Sequence, residues 1–381
     1  MVNAIKKLIS IMLIFIICIP IAGCWNYRGL NTISVFSGMA IDRNEENNNY
    51  KLTIEFIDFS ETSKKEPNKS QVVEVEGKTI FEAVRNAKKK LSKKLYMGDV
   101  KIVIISNQIA RQEGIKSILD LFIRDAEIRE TVIPIISQEK TAKEILLSNG
   151  IDDKVVSEDL EKIIKSGWQN ITSTKNVNIC KTFNILHGNE KIPLVLPVVH
   201  CNDNKKQKII ELNGVAIFKE DKLQSYLSSE ETNTYLFTVN EINRGIITVP
   251  VINNQDKVVL EIAKNNTKMS YLYKEDKLNV FLHISTVAKL SEVNINIDLL
   301  EKENIDEFKA SANLVLAQRL KSVINKGNKE LNCDILGVGS MIHKNDPALW
   351  YKLRENWEHY IQTMEVEIVP EFIIVNSGLI R

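Results

Sequence analysis

The feature that most restricts this chain is an apolar run near its start that is too short to cross a membrane. Lys6 and Lys7 precede residues 8–19, "LISIMLIFIICI". A dozen residues fall short of the about 20 that a bilayer-spanning helix needs, and fit the hydrophobic core of a secretory signal. No later stretch is long and apolar enough to span. Residues 101–106 ("KIVIIS") and 191–200 ("KIPLVLPVVH") are short, rich in β-branched residues and broken by proline or charge, so they read as buried strands. The remainder must fold as a globular body bathed in water. Its 44% hydrophobic and 26% charged content agrees with that. Basic and acidic side chains nearly cancel, 50 against 49, so the excess of a nucleic-acid binder is missing. A length of 381 residues predicts two domains, or three.

Small residues close the apolar run, and a cysteine follows at once: Pro20-Ile21-Ala22-Gly23-Cys24. A plain secretory signal or a short anchor helix would need no cysteine there. Residues 21–24 resemble a bacterial lipobox, with Ile21 where leucine is usual. The resemblance implies that the Cys24 thiol is acylated, that residues 1–23 are removed as a lipoprotein signal peptide, and that Cys24 anchors the chain. Two acyl chains hold a protein stably at a bilayer where one holds it only marginally. Trp25 then suits the headgroup region or packs beneath the first domain.

Alternation of apolar and polar residues predicts strands over 31–42 and 50–59, then at "VVEVEG". Helical spacing of Ile80, Ala83, Val84, Ala87, Leu91 and Leu95 predicts a helix over 79–96. Its lysine-rich opposite face is either solvated or set against anionic lipid or an acidic partner. Strand 100–106, helix 109–124, strand 130–137 and helix 142–147 follow in a βαβα rhythm, which suggests a sheet flanked by helices. A short helix over 157–166 and a loop over 167–190 complete the first half. The polar stretch 200–208 is the expected boundary. It divides an N-terminal α/β region, 24–200, of one or two subdomains from a C-terminal α+β domain, 208–381. "KEDKL" occurs twice, at 219–223 and 274–278, each time between two β-type runs. A helix begins at Ser228, a long helix spans 303–324, and "NKGNKE" ends it. "CDILGVGSMIHKNDPALWYKL", from 333 on, reads as a strand, a turn at Asn345-Asp346-Pro347 and a helix capped by Asp346 with Pro347 at its first position, and a final strand over 364–375 closes the chain. The predicted class is α+β, a multi-domain ectodomain of mixed sheets flanked by helices.

No catalytic set stands out. The five histidines, His187, His200, His283, His343 and His359, include no HxxxH or HExxH spacing, so no metal set is expected. "GVGSM" (337–341) lacks the third glycine of a dinucleotide loop and reads as a bulge or a close packing point. No G-x-S-x-G, Walker A or S-x-x-K pattern occurs. Glu55 and Asp58 sit within strands, as acids in any chain with 49 of them will. Cys180, Cys201 and Cys333 form no CxxC pair; a Cys180–Cys201 bridge is allowed but not required. Trp350 and Trp357 are spaced to share a helix face. The expectation is a non-enzyme with no catalytic residues, no cofactor and no metal.

"CWNYRGL" followed by "FSGMAID" resembles the mature start of Ger(x)C spore-germination lipoproteins, the C subunits of nutrient germinant receptors. Cys24, Trp25, Arg28, Gly38, Ile41 and Asp42 match the family pattern. Asn26 and Gly29 depart from it. "GKTIFEAVRNAKKKLSKKLYMGDVKIVIIS", "GIKSILDLFIRDAEIRETVIPIIS" and "LNGVAIFKEDKLQSYLSSEET" resemble later segments, with Gln224-Ser225-Tyr226 departing. "CDILGVGSMIHKNDPALW" and the Gly-Leu-Ile tail are similar to the family's end. The resemblance implies a subunit on the outer face of the spore inner membrane, beside two integral membrane subunits, acting in receptor assembly or signal transmission. The alternative is an extracytoplasmic solute-binding lipoprotein that captures the germinant itself.

Overall fold

The computed structural model describes residues 3–8, 12, 29, 32–58, 70–148, 155–170, 173–188, 192–204, 207–250, 257–293 and 301–375. Cys24 and the apolar run, apart from Leu8 and Met12, lie outside these residues. So does the Gly-Leu-Ile tail.

Thirteen strands form two sheets among the described residues. The larger starts with β1 (Ile33–Arg43), β2 (Tyr50–Asp58) and β3 (Ser70–Gly77), an antiparallel meander. The opposite edge of β1 takes two parallel partners in succession. The short β4 (Lys94–Tyr96) pairs beside Ile33, and β5 (Ile102–Ser106) takes over from Gly38. Parallel β6 (Ile133–Ser137) and β7 (Leu194–Asn204) extend the sheet, and antiparallel β8 (Gln207–Lys219) and β9 (Lys222–Leu227) finish it. "IVIIS" and "IPIIS" are buried along their whole length because helices cover both faces of the parallel centre.

Strand alternation divides the larger sheet into two cores. Phe36, Met39, Val103 and Ile105 point to a face covered by α1 (Ile80–Ala87), α2 (Asn107–Gln112), α3 (Lys116–Arg124) and α6 (Ile179–His187). Ala40, Ile102 and Ile104 point to the other, covered by α4 (Lys143–Leu146) and α5 (Val156–Asn170).

The smaller sheet runs β10 (Ile246–Pro250), β11 (Lys257–Lys274), β12 (Lys277–Val293) and β13 (Glu365–Val375). The β11–β12 hairpin turns on Glu275 and Asp276, both left-handed, which is the turn geometry that suits strand twist. One face packs on α8 (Lys302–Asn325), whose Phe308, Ala312, Leu316, Leu320 and Val323 form the buried stripe. α7 (Ser229–Thr238) joins the same core. So do Val195, Val215, Ile217 and Leu227 from the larger sheet, so the two sheets share one apolar interior at β7–β9.

The α+β class, with mixed sheets flanked by helices, is as expected. Several local expectations are corrected. The helix over 79–96 stops at Ala87, and 94–96 pairs with β1 instead. Continuing the helix would stack Lys89 on Lys93 and Lys90 on Lys94, while pairing satisfies the backbone and still buries Leu95. The helix over 109–124 is two helices, broken at Gly114 with φ +87°. The expected loop over 167–190 carries the end of α5 and all of α6, which Asn178 caps by accepting from the Lys181 N–H at 2.9 Å. No strand forms over 333–341: residues from Val338 build α9 (Val338–Asn345). On either side of the expected boundary, β7 and β8 pair as neighbours of one sheet, Asn204 opposite Gln207.

Candidate functional site at the junction of the two sheets

Of the buried acids, Glu55, Asp42 and Asp334 come first, because acids in strands were the nearest thing to catalytic candidates. Glu55 is fully buried, and its carboxylate accepts from the N–H groups of Val156 (3.0 Å) and Ser157 (2.9 Å) at the start of α5. Asp42 accepts from Ala142 N–H (2.7 Å) and Lys143 N–H (3.0 Å) at the start of α4. Asp334 accepts from Val338 N–H (2.9 Å) and Gly339 N–H (2.7 Å) at the start of α9. Each acid satisfies orphan donors at the positive end of a helix. Burial pushes the Asp42 carboxyl up, against the pull of its two N–H donors. Burial pushes Asp334 further, to about 6. These acids build the fold. Sequence reasoning missed Asp42 and Glu55 because each lies about 100 residues from its helix, and it missed Asp334, only four residues from Val338, because a strand was expected there.

The junction itself is built from both halves. The first "KEDKL" turn, between β8 and β9, docks on the break between α2 and α3. There Ile115 N–H donates to Asp221 O at 3.0 Å, and a β-carbon on Gly114 would strike the Asp221 carboxylate. Arg111 reaches the same hairpin, donating to Gln224 O at 2.7 Å and lying 5.5 Å from the Tyr226 ring. On the other side Lys219 Nζ meets Glu358 Oε1 at 2.7 Å, on α11 (Trp357–Thr363), and Glu358 also accepts from Asn332 at 2.9 Å. Lys116, Leu186, Lys219, Asp221, Asp334 and Trp357 are among the walls of an open groove of about 360 Å³ here. A second, partly buried link lies nearby. Lys175 sits 3.4 Å from Glu241 and 5.4 Å from the Tyr235 ring centroid. Burial lowers its pKa, but Tyr235 and Glu241 outweigh it and the net direction is up.

The other candidates scatter. His187 contacts Phe183 O at 3.0 Å, His200 contacts Glu211 at 3.4 Å, and His343 and His359 lie against aromatic rings. Among the described residues no three His, Cys, Asp or Glu side chains are placed to hold a metal ion. Cys180 and Cys201 are separate thiols, and burial drives the Cys333 thiol up to about 11. Trp350 and Trp357 stack edge to face, 5.1 Å apart, on successive helices, α10 (Pro347–Leu353) and α11. Gly339 lies so close beneath them that a β-carbon would sit 2.8 Å from Trp350. "GVGSM" is therefore a packing point, on a helix and not a strand.

Two family profiles match the chain in tandem. "Spore germination protein N-terminal domain" covers residues 26–201, and "Spore germination B3/ GerAC like, C-terminal" covers 213–378. The chain belongs to the Ger(x)C family. Spore germination protein KC of Bacillus subtilis (strain 168) is 23% identical over 98% of this chain and 97% of its own length. Spore germination protein B3 of the same organism is 23% identical over 96% and 97%. The crystal structure of the GerBC protein shares the fold, with a TM-score of 0.60 at 17% identity over 89% of this chain and 97% of that one.

Set on the structure, the Ger(x)C segments turn out to be seats for helices and turns. Gly38 lets α5 approach β1, since a β-carbon there would lie 2.6 Å from Ser157 Cβ. Asp42, four residues on, caps α4. Gly214, left-handed at φ +79° in the middle of β8, lies against Leu227 O, which a β-carbon there would strike. Asp334, Gly337 and Gly339 form the cap of α9, with Gly337 at φ +72°.

Proposed function

We propose that this Ger(x)C chain is a non-enzymatic, lipid-anchored subunit of a spore nutrient germinant receptor. It is held by acylated Cys24 on the outer face of the spore inner membrane, beside integral membrane subunits. Its work there is receptor assembly or signal transmission. The observation that carries this reading is the ordered match of both germination-family profiles along one chain. The lipobox-like residues 21–24 support the anchor, and the placing of buried Glu55, Asp42 and Asp334 as helix caps supports a non-catalytic body. Spores lacking the chain and its paralogues, exposed to a panel of nutrients, test it. Loss of response to at least one nutrient is expected; normal responses to all of them would overturn it.

The junction groove supports a second reading, direct capture of the germinant. It offers a tryptophan wall with lysine and carboxylate groups at its rim, the mixed lining of small-molecule sites. Calorimetry of the full chain with amino acids, sugars and nucleosides separates the two. Saturable heat abolished by Trp357→Ala, with the fold retained, would favour capture.

A further inference from the structure

The reading of Cys24 as an acylated anchor leads to a question it does not answer: which surface of the body meets the bilayer. Five of the seven residues from Lys88 to Lys94 are lysine, in a chain whose total charge is nearly balanced. The fold places them. β3 runs away from the start of β1, α1 runs back, and the lysine turn ends where β4 pairs with β1, Lys94 opposite Ile33. Paired strands lie about 4.8 Å apart, so Lys94 sits beside the first residue of the sheet, while Lys90 at the other end of the turn reaches Glu74 on β3. That first residue, Ile33, is also the one nearest the anchor. Thr32 N–H donates to Gly29 O at 2.9 Å in a turn that holds Gly29 at the strand's start. From Gly29 to Cys24 the chain spans at most about 18 Å when fully extended.

Lys88, Lys89 and Lys90 are exposed; the Lys90 ammonium donates to Glu74 O at 2.6 Å, and Lys94 pairs with Glu127 at 2.7 Å. Residues 88–94 themselves carry five lysines and no acid. We infer that the Lys88–Lys94 turn is a headgroup contact, lying on the anionic lipids of the bilayer that holds Cys24 and fixing the orientation of the body over it. A lysine cluster next to a lipid anchor is the two-signal arrangement that stabilises membrane attachment, and it acts within a Debye length of about 8 Å. The short tether keeps the turn within reach of that layer.

The test is amide exchange on the full acylated protein in discs of phosphatidylcholine alone, or with phosphatidylglycerol added. Intact mass of the same sample reports the acyl group separately. Slower exchange over residues 86–94 on the anionic discs is expected, with that protection lost in high salt and in Lys88→Glu/Lys89→Glu. The neutral pair Lys88→Gln/Lys89→Gln, with an unchanged melting temperature, controls for folding and should lose most of the protection too. Equal exchange on both discs by an acylated protein overturns the contact and leaves the anchor standing, as it would if the lysines met an acidic protein. An unmodified Cys24 overturns the anchor, and with it the tether on which the contact rests.

Discussion

Glu55 accepts a 2.9 Å hydrogen bond from the backbone N–H of Ser157, a residue 102 positions away in the chain. With the bond to Val156, it fixes where α5 begins on the sheet. Glu55→Gln keeps the shape but removes the charge and one acceptor. Charge-assisted bonds of this kind contribute about 2 kcal/mol, so chemical denaturation is expected to show a loss of that order with little change in m-value. An unchanged midpoint would mean that α5 is seated by its apolar face alone.

Gly38 and Ser157 are coupled by contact. Gly38→Ala places a methyl group 2.6 Å from Ser157 Cβ, and overpacking of that kind costs about 1–3 kcal/mol. Ser157→Gly opens the space, so the double variant is expected to be more stable than the sum of the two single changes predicts. Strict additivity would contradict the close approach.

Asp334 gives a pH dependence with a definite sign. Its carboxyl titrates near 6 when folded and near 3.8 in the reference state, so the folded protein holds the proton more tightly. The stability from this group is full below about pH 4 and is lost as pH rises through about 6, by at most about 3 kcal/mol. Asp42 is displaced in the same direction. The difference in melting temperature between wild type and Asp334→Asn isolates the Asp334 share. Wild type is expected to fall relative to the variant between pH 4 and 7, and a constant difference would refute the displacement.

Cysteine reactivity should follow burial. Cys333 is 5% exposed, with a thiol near 11, so at pH 8 about one in a thousand is ionised. Cys180 is only half-buried on α6. Mass mapping after mild alkylation of the native protein is expected to find Cys180 modified well before Cys333, and the reverse order would contradict the packing around residue 333.

Much of this fold could be read from periodicity. The β11–β12 hairpin, the stripe of α8, the Ser228 cap of α7 and the Asp346-Pro347 start of α10 all follow local rules, because their determinants lie within a few residues of one another. The failures share a cause as well. Leu91 and Leu95 continued a helical pattern, yet partnership with β1 decided 94–96. Glu55 looked like an ordinary strand acid, yet it caps a helix about 100 residues away, as does Asp42. The junction groove assembles Lys116, Lys219, Asp334 and Trp357 from four separate segments, and no local pattern announces it. Cys24 is the opposite case: its proposed role is written entirely in the residues around it.

The most direct test of the account is nutrient-triggered germination of spores carrying Cys24→Ala, read beside the intact mass of the protein from the same membranes. The account predicts a wild-type protein that begins at acylated Cys24, and a variant without acyl groups whose spores no longer respond to the receptor's nutrient. A wild-type N-terminus that is unmodified or cut elsewhere, or a variant that germinates normally, would contradict it.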